Sequence, residues 1–382
     1  MNQLLNKNKH LLILGGSHYY KHTYARLKNR GFKITCIDNN PQTYCKGIAD
    51  NFVHADYSNI DLTFRKIKLL DIDCVLPMND VGVITSALLA EKLSFKALPV
   101  NVAKRAVSKA LMKKQWLNDD LPTPQYIIAE SYDKVLDAAN TIGFPLILKP
   151  ANSYGGGSRG VIVVDKIHDL LEATKFTKEF CDDSKIIIEE FIHYQSEHSI
   201  ECLVNNGEVE VILIGDNHKM DLPFRVNQKI TYPTNLSTKV QTQLIKLCHK
   251  SIHSLGIKFG AVHIEIGCNN NKLYLIELGA RAGGGAIFHP ITELVTGYDY
   301  AYETIKVLLN QKNEKTKKTV KKKVEYQFIT NQFINTKIDR LKERLEKDPR
   351  VFDYHIEPFY NFKKKIKTGL DRQGYIISVD DV

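Results

Sequence analysis

The sequence predicts an α/β (α+β) chain in three parts: a βαβ-type domain over residues 1–105, a larger α+β body over 106–310, and a small basic α+β segment over 311–382. Three observations carry this. The chain opens as strand, glycine turn, helix and strand. Residues 120–280 then alternate β-rich runs with helices and carry two Asn-rich hairpin turns. Seven lysines crowd residues 311–323, where apolar side chains are scarce. A length of 382 residues suits two or three domains of ordinary size.

In the first part, Leu11 to Leu14 is an apolar strand, Gly15-Gly16-Ser17 a turn, His18 to Arg30 a helix closed by Gly31, and Lys33 to Ile37 a second strand ending at Asp38. Asp73 to Met78 is a further strand and Val81 to Leu93 a helix. This is a Rossmann-like beginning, but no third glycine completes Gly-x-Gly-x-x-Gly, so a structural role is favoured over a dinucleotide site. The composition excludes other classes. A hydrophobic fraction of 43% with 25% charged residues is that of a globular chain. No apolar run approaches the roughly 18 residues that span a bilayer, and the Leu11–Leu14 run is too short for a secretory core. A cytoplasmic protein with no membrane partner is expected. Seven scattered cysteines, none spaced Cys-x-x-Cys, exclude a disulfide framework and a cysteine-rich zinc module.

The second part begins with a basic helix over Asn101 to Leu117, closed by Leu121-Pro122-Thr123-Pro124, where two prolines forbid further helix. Lys104, Arg105, Lys109, Lys113 and Lys114 on it read as a solvated face. Strands at 126–129 and 146–149 flank a helix at 132–142, and a β-rich run at 185–188 ends in Glu189-Glu190, giving a small subdomain over about 120–190. Between strands lies Gly155-Gly156-Gly157-Ser158-Arg159-Gly160. It lacks Gly-Lys-Ser/Thr and does not open a helix, so it is no P-loop; it is either an ordinary loop or a flap whose amides close over phosphate oxygens. Lys149 ends an apolar strand beside it, placed for an anion or for an ion pair. Hairpins follow around Asn205-Asn206-Gly207 and Asn269-Asn270-Asn271, with a helix at about 237–255 between them. If the second turn centres near Asn271, Glu265 and Glu277 lie opposite one another, their Cβ atoms about 5 Å apart. Like charges so placed need a cation between them. Mg²⁺ suits two carboxylates and a polyphosphate, and Arg281 is the alternative neutralising partner.

The order of these parts, lysine in a helix, lysine on a strand, glycine flap, Glu-Glu, a further glutamate, then paired glutamates and an arginine, resembles the ATP-grasp superfamily in its carboxylate–amine (carboxylate–thiol) ligase branch, with biotin-carboxylase-like architecture. The resemblance covers most of the chain. It implies a Rossmann-like domain, an ATP-grasp fold of two α+β subdomains, and a C-terminal segment. By that resemblance Lys109 and Lys149 contact phosphates, Gly155, Gly156, Gly157 and Ser158 cover them, and Glu189, Glu190, Phe191 and Ile192 frame adenine. Glu197 holds the ribose hydroxyls, Glu265 and Glu277 bind Mg²⁺ or Mn²⁺, and Arg281, with Lys149, serves the transferring phosphoryl group. Two positions depart from the family pattern. Gly279 stands where an Asn often supplies a metal contact, and Ser108 where an Asp commonly precedes the first lysine. The implied activity is ATP-dependent joining of a small carboxylate to an amine through an acyl phosphate, with homodimers common. Arg225, Lys219, Gly284 and His289 are candidate contacts to the small-molecule substrates.

The net charge of +10 asks whether nucleic acid is the partner. Residues 311–382 hold 14 Lys and 4 Arg against 5 Glu and 6 Asp, a net +7, which leaves +3 for the other 310 residues. Basicity is thus a property of the tail, where Tyr354, Phe359, Tyr360 and Phe362 near Lys363-Lys364-Lys365 would suit single strands. Nucleic acid is the remote reading, and a bicarbonate-using biotin-carboxylase-like or purine-pathway enzyme the nearer alternative. His249 and His253, four apart on a helix without a third ligand, read as solvated.

Overall fold

The computed structural model describes residues 9–152, 156–315, 319–330, 337–358, 361 and 364–381. The first part is a parallel sheet of β1 (His10–Leu14), β2 (Lys33–Asp38), β3 (Asn51–His54) and β4 (Cys74–Pro77), ordered β3-β2-β1-β4. Every residue of β1 is buried, as a central parallel strand covered on both faces requires. α1 (Lys21–Asn29) connects β1 to β2, α2 (Ile60–Ile67) connects β3 to β4, and α3 (Asp80–Leu93) follows β4. The sequence reading passed over β3 and α2. β3 is an edge strand with Asn51 and His54 exposed, so it lacks an apolar alternation.

The helix expected over Asn101 to Leu117 is two helices, α4 (Val100–Val107) and α5 (Lys109–Asn118). Ser108 between them is extended (φ −82°, ψ 112°) and bridges to Asn152, and its hydroxyl accepts the Leu111 N–H at 3.3 Å as the cap of α5. The break re-aims α5, so Lys109 and Lys113, expected on a solvated face, are buried. The boundary drawn at residue 105 falls inside α4. The buried side chains of α4 (Val102, Ala103, Ala106, Val107) pack with Trp116, Ile200, Val262 and Ile264 in the core of the larger body.

The small subdomain is an antiparallel sheet of β5 (Tyr126–Ala129), β6 (Leu146–Pro150), β7 (Ile162–Val164) and β8 (Ile186–Glu190), ordered β5-β8-β6-β7. α6 (Tyr132–Ile142) and α7 (Leu170–Lys178) cover one face through Val135, Ala138, Leu170 and Ala173. The opposite face presents Ile147 and Val163, with Phe191 packed beside them.

The remaining strands are β9 (Ser196–Asn205), β10 (Glu208–Lys219), β11 (Asn227–Tyr232), β12 (Gly260–Asn269), β13 (Lys272–Gly279), β14 (Lys322–Phe328), β15 (Val351–Ile356) and β16 (Gly374–Asp381). They form one antiparallel sheet ordered β13-β12-β9-β10-β11-β14-β16-β15. α8 (Thr238–Leu255), α9 (Ile291–Thr296), α10 (Tyr300–Leu308) and α11 (Ile338–Lys347) complete the described α-helices. The stretch 311–323, expected as a linker or strand entry, gives way to β14 at Lys322. The C-terminal segment extends the large sheet, because β14 pairs with β11 through four residue pairs. The helix expected over 335–347 is observed from Ile338, and residues 335 and 336 lie outside the described residues. No described helix is long and apolar enough to cross a membrane. All seven cysteines are free.

Candidate active site

A cleft of about 390 Å³ lies where the small sheet, the large sheet and the end of β4 meet. Its floor is the hairpin β12–β13. The turn holds two residues, Asn270 and Asn271, both with positive φ, so it centres half a residue earlier than the sequence suggested. Cys268 pairs with Leu273 and Ile266 with Leu275. A bulge at Ile276 then shifts the register by one, and Glu265 comes to stand directly opposite Glu277. The two carboxylates share the cleft because of the bulge rather than because of the turn.

Each carboxylate has a lysine beside it. Lys109, at the first position of α5, bonds Glu277 at 2.5 Å. Lys219, at the end of β10, lies 3.5 Å from Glu265 and 3.4 Å from Glu197. Burial alone would raise the Glu265 pKa, but Lys219 and His263 outweigh it and hold the carboxyl far below its ordinary value. For Lys219, burial is outweighed in turn by Glu265 and Glu197, and its pKa is raised.

A second ion cluster joins α5 to the small sheet. Glu189 on β8 is 1% exposed and lies 2.9 Å from Lys149 on β6 and 3.3 Å from Lys113 on α5. Burial pushes Lys113 down to about 8. Burial alone would raise Glu189, but the two lysines hold it below its usual value. The side chain of Glu190 accepts the Gln125 N–H at 2.9 Å, and the Phe191 N–H bonds Pro145 O at 3.0 Å. Phe191 and Ile192 line the cleft.

Glu197 and Ser199 of β9 and His263 and Glu265 of β12 face the cleft together. Glu201 pairs across the strands with His263, and Ser199 with Glu265. Glu201, 1% exposed, accepts from His263 Nδ1 at 2.6 Å and from the Gly283 N–H at 2.9 Å. A Cβ on Gly283 would stand 2.3 Å from Glu201 Oε1, so the close approach requires glycine there. Burial would lower the His263 pKa, yet Glu201 raises it to about 9 and the ring is an imidazolium at neutral pH. His263 Nε2 points toward Glu265 at 3.9 Å.

Arg281 does not neutralise either glutamate. It forks onto Asp80, Nε to Oδ1 at 2.8 Å and Nη2 to Oδ2 at 3.1 Å. Asp80 opens α3 in the N-terminal domain, and its pKa is lowered because Arg281 overcomes the effect of burial. Sequence reading missed Asp80, Lys113, Glu201 and His263; Asn79-Asp80 after β4 was the available signal, as a helix start at a sheet's carboxyl end. Of the expected residues, Gly156, Gly157, Ser158, Arg225 and Gly284 line the cleft, and Gly155 lies outside the described residues. Arg225 is paired to Glu197, and the Ser158 hydroxyl bonds Arg225 O at 2.8 Å. His289, expected among the substrate contacts, does not line the cleft but lies 3.5 Å from Glu293, with burial pushing its pKa down to about 4. It follows Phe288, whose burial turns this segment into the core.

Residues 105–316 match the family model described as the carbamoyl-phosphate synthase L chain, ATP binding domain. The chain belongs to this ATP-grasp family. Among curated proteins, carbamoyl phosphate synthase large chain from Pseudothermotoga lettingae is 26% identical over 275 residues, 68% of this chain and 24% of the relative. The same protein from Helicobacter pylori strain 26695 is 23% identical over 309 residues, 74% of this chain and 27% of the relative. The chain thus spans about a quarter of the length of these relatives. Three solved structures share its fold. L-amino acid ligase from Bacillus licheniformis has a TM-score of 0.80 at 20% identity, covering 99% of this chain and 94% of that one. N5-carboxyaminoimidazole synthetase from Staphylococcus aureus complexed with ADP has 0.77 at 17%, covering 99% and 95%. Biotin carboxylase from Campylobacter jejuni in its β-γ-ATP complex has 0.73 at 18%, covering 98% and 87%. The ATP-grasp architecture therefore runs through the Rossmann-like domain and the tail, well beyond the matched family segment.

Proposed function

We propose that the protein is an ATP- and Mg²⁺-dependent carbon–nitrogen ligase that activates a small carboxylate as an acyl phosphate and joins it to an amine. The observation that carries this is the opposition of Glu265 and Glu277 in one cleft with Lys109, Lys149 and Arg281. Two carboxylate oxygen donors fit a hard divalent cation that keeps waters and phosphate oxygens as its other ligands. Gly279 supplies no side-chain ligand. When bound, such a cation would neutralise the developing phosphoryl charge.

The chain's own groups supply the rest. Lys109 and Lys219 are counter-ions of the two glutamates and stand within the cleft to meet phosphate oxygens once those glutamates take another cation. Lys149 is held by Glu189 and Arg281 by Asp80, so both cations are oriented before substrate enters. A donor carboxylate oxygen attacks the γ-phosphorus, the bond from phosphorus to the ADP oxygen breaks, and the amine then attacks the acyl carbon. Phosphate leaves with the acyl C–O bond broken, and the amine gives up a proton. No cysteine or serine nucleophile is required, in keeping with seven free cysteines of which six are buried.

ADP release measured over a matrix of amino acids, dicarboxylates, bicarbonate and amines tests the reading. At least one pair should stimulate release, and Glu277→Ala should be silent in every well. Activity in that variant would overturn the metal assignment. A wild type that neither nucleotide nor Mg²⁺ protects against heating would overturn the whole reading.

A further inference from the structure

Arg372, two residues before β16, lines the cleft, and no carboxylate among the described residues stands within ion-pair distance of it. Lys109, Lys149, Lys219, Arg225, Arg281 and His263 each have an acidic partner. Arg372 Nη2 donates to Asn227 O at 3.0 Å, and the guanidinium carbon stands over Phe328, 3.6 Å from the ring centroid. Its Nε is buried with no hydrogen-bond partner among the described residues. Burial pushes its pKa down, and the more distant Tyr19, Tyr326 and Glu265 offset this only in part. An unpaired donor of this kind costs free energy unless a ligand completes it.

A guanidinium stacked on a ring presents its edge, which matches the two oxygens of a carboxylate. A single positive charge balances a carboxylate, whereas a phosphate dianion would keep one charge unmet. The donor carboxylate that becomes an acyl phosphate belongs beside Lys109, Arg281 and the paired glutamates, where those cations already stand. The anion at Arg372 is therefore one that does not react. Resting on the ligase reading above, we propose that the amine substrate is an amino acid and that Arg372 grips its carboxylate while its amine attacks.

The test compares L-amino acids with the corresponding L-amino acid amides as acceptors in the ADP-release assay, for the wild type, Arg372→Met and Arg372→Lys. Loss of a buried charge-assisted fork is worth about 100-fold. The wild type should prefer acids to amides by about that factor in kcat/KM. In Arg372→Met the ratio should collapse toward unity, chiefly through KM for the acid, and Arg372→Lys should recover part of it. AMPPNP with Mg²⁺ should raise the melting temperature of all three proteins, which shows that the variants are folded with an intact nucleotide cleft. With AMPPNP present, amino acids should raise it further in the wild type and not in Arg372→Met. Equal use of acids and amides by the wild type, a preference that survives Arg372→Met, or no amino-acid-dependent shift would overturn the inference. So would ribose 5-phosphate giving the Arg372-dependent shift in place of amino acids. Absence of the AMPPNP shift in the wild type would instead overturn the ligase reading itself.

Discussion

Glu201→Gln is a perturbation whose size can be worked from the structure. The carboxylate is 1% exposed and accepts from His263 Nδ1 and from the Gly283 N–H. Glutamine keeps the shape and the acceptor for Gly283 but removes the charge that holds His263 protonated. Glu201 is at Nδ1 of that ring, Glu265 at 3.9 Å from Nε2, and Lys219 lies beyond Glu265. The ring's pKa is raised from 6.5 to about 9, a difference worth about 3 kcal/mol at about 1.4 kcal/mol per pH unit. Because the folded value is the higher one, this stabilisation is complete below about pH 6.5, fades as the pH rises toward 9, and is absent above it. Because Glu265 supplies part of the shift, Glu201→Gln should be less stable by up to about 3 kcal/mol near pH 6, and by only about 1 kcal/mol, the hydrogen-bond share, above about pH 9.5. Urea titration followed by fluorescence reports this directly. Trp116 is the only tryptophan and is buried in the core that holds Ile200, Val262 and Ile264. An NMR titration of the His263 ring gives the pKa itself. Equal destabilisation at both pH values, or a wild-type His263 that titrates near 6.5, would refute the reasoning.

Asp80→Asn should release the fork that orients Arg281 and cost about 3–5 kcal/mol of stability, while lowering kcat of the folded enzyme by about 100-fold with a smaller change in KM for ATP. Turnover within about twofold of wild type would show that Arg281 needs no such support. Gly369→Ala tests the contact between the tail and the glycine loop. Its Cβ would stand 2.8 Å from Gly157 Cα and 2.9 Å from Gly157 O, and backbone cannot rotate aside. KM for ATP should rise by about tenfold, in line with about 1–3 kcal/mol of overpacking, with little change in thermal stability. An unchanged KM would mean that the loop does not close against the tail.

The sequence was legible where a local rule and the tertiary need agreed. Apolar runs marked β1 and β6, and Asn-Gly and Asn-Asn turns marked the two hairpins. The opposition of Glu265 to Glu277 was legible in outcome but not in cause. An assumed turn centre and an unforeseen bulge at Ile276 lead to the same pairing. Lys113 was not legible, because a lysine on a basic helix looks solvated until a break at Ser108 turns the helix and Glu189 waits in the small sheet to receive it. Partners such as Asp80 for Arg281, 201 residues apart in the chain, arise from domain packing, for which one sequence carries no periodic signal. Arg372 was hidden by the company of its neighbours in a basic tail.

That tail also shows why net charge says little about a site. Its described lysines are exposed, apart from the half-buried Lys322, so most of its +7 lies on the surface. Yet the strands that bear them are not an appendage. β14 pairs with β11 along Lys229–Tyr232, and Val324, Tyr326 and Tyr375 share a buried cluster with Ile230, Tyr232 and Ile287. Ile230, Ile287 and Tyr326 also line the cleft. One backbone ladder thus carries the tail from the outer edge of the sheet to the wall of the cleft, and Arg372 enters the cleft because β16, which it precedes, is held beside β14. A charge count assigns this segment to solvent, whereas strand pairing delivers one of its four arginines to the cleft. For this fold, the register of β11, β14 and β16 decides which tail residues reach the cleft, and the surplus of lysine does not.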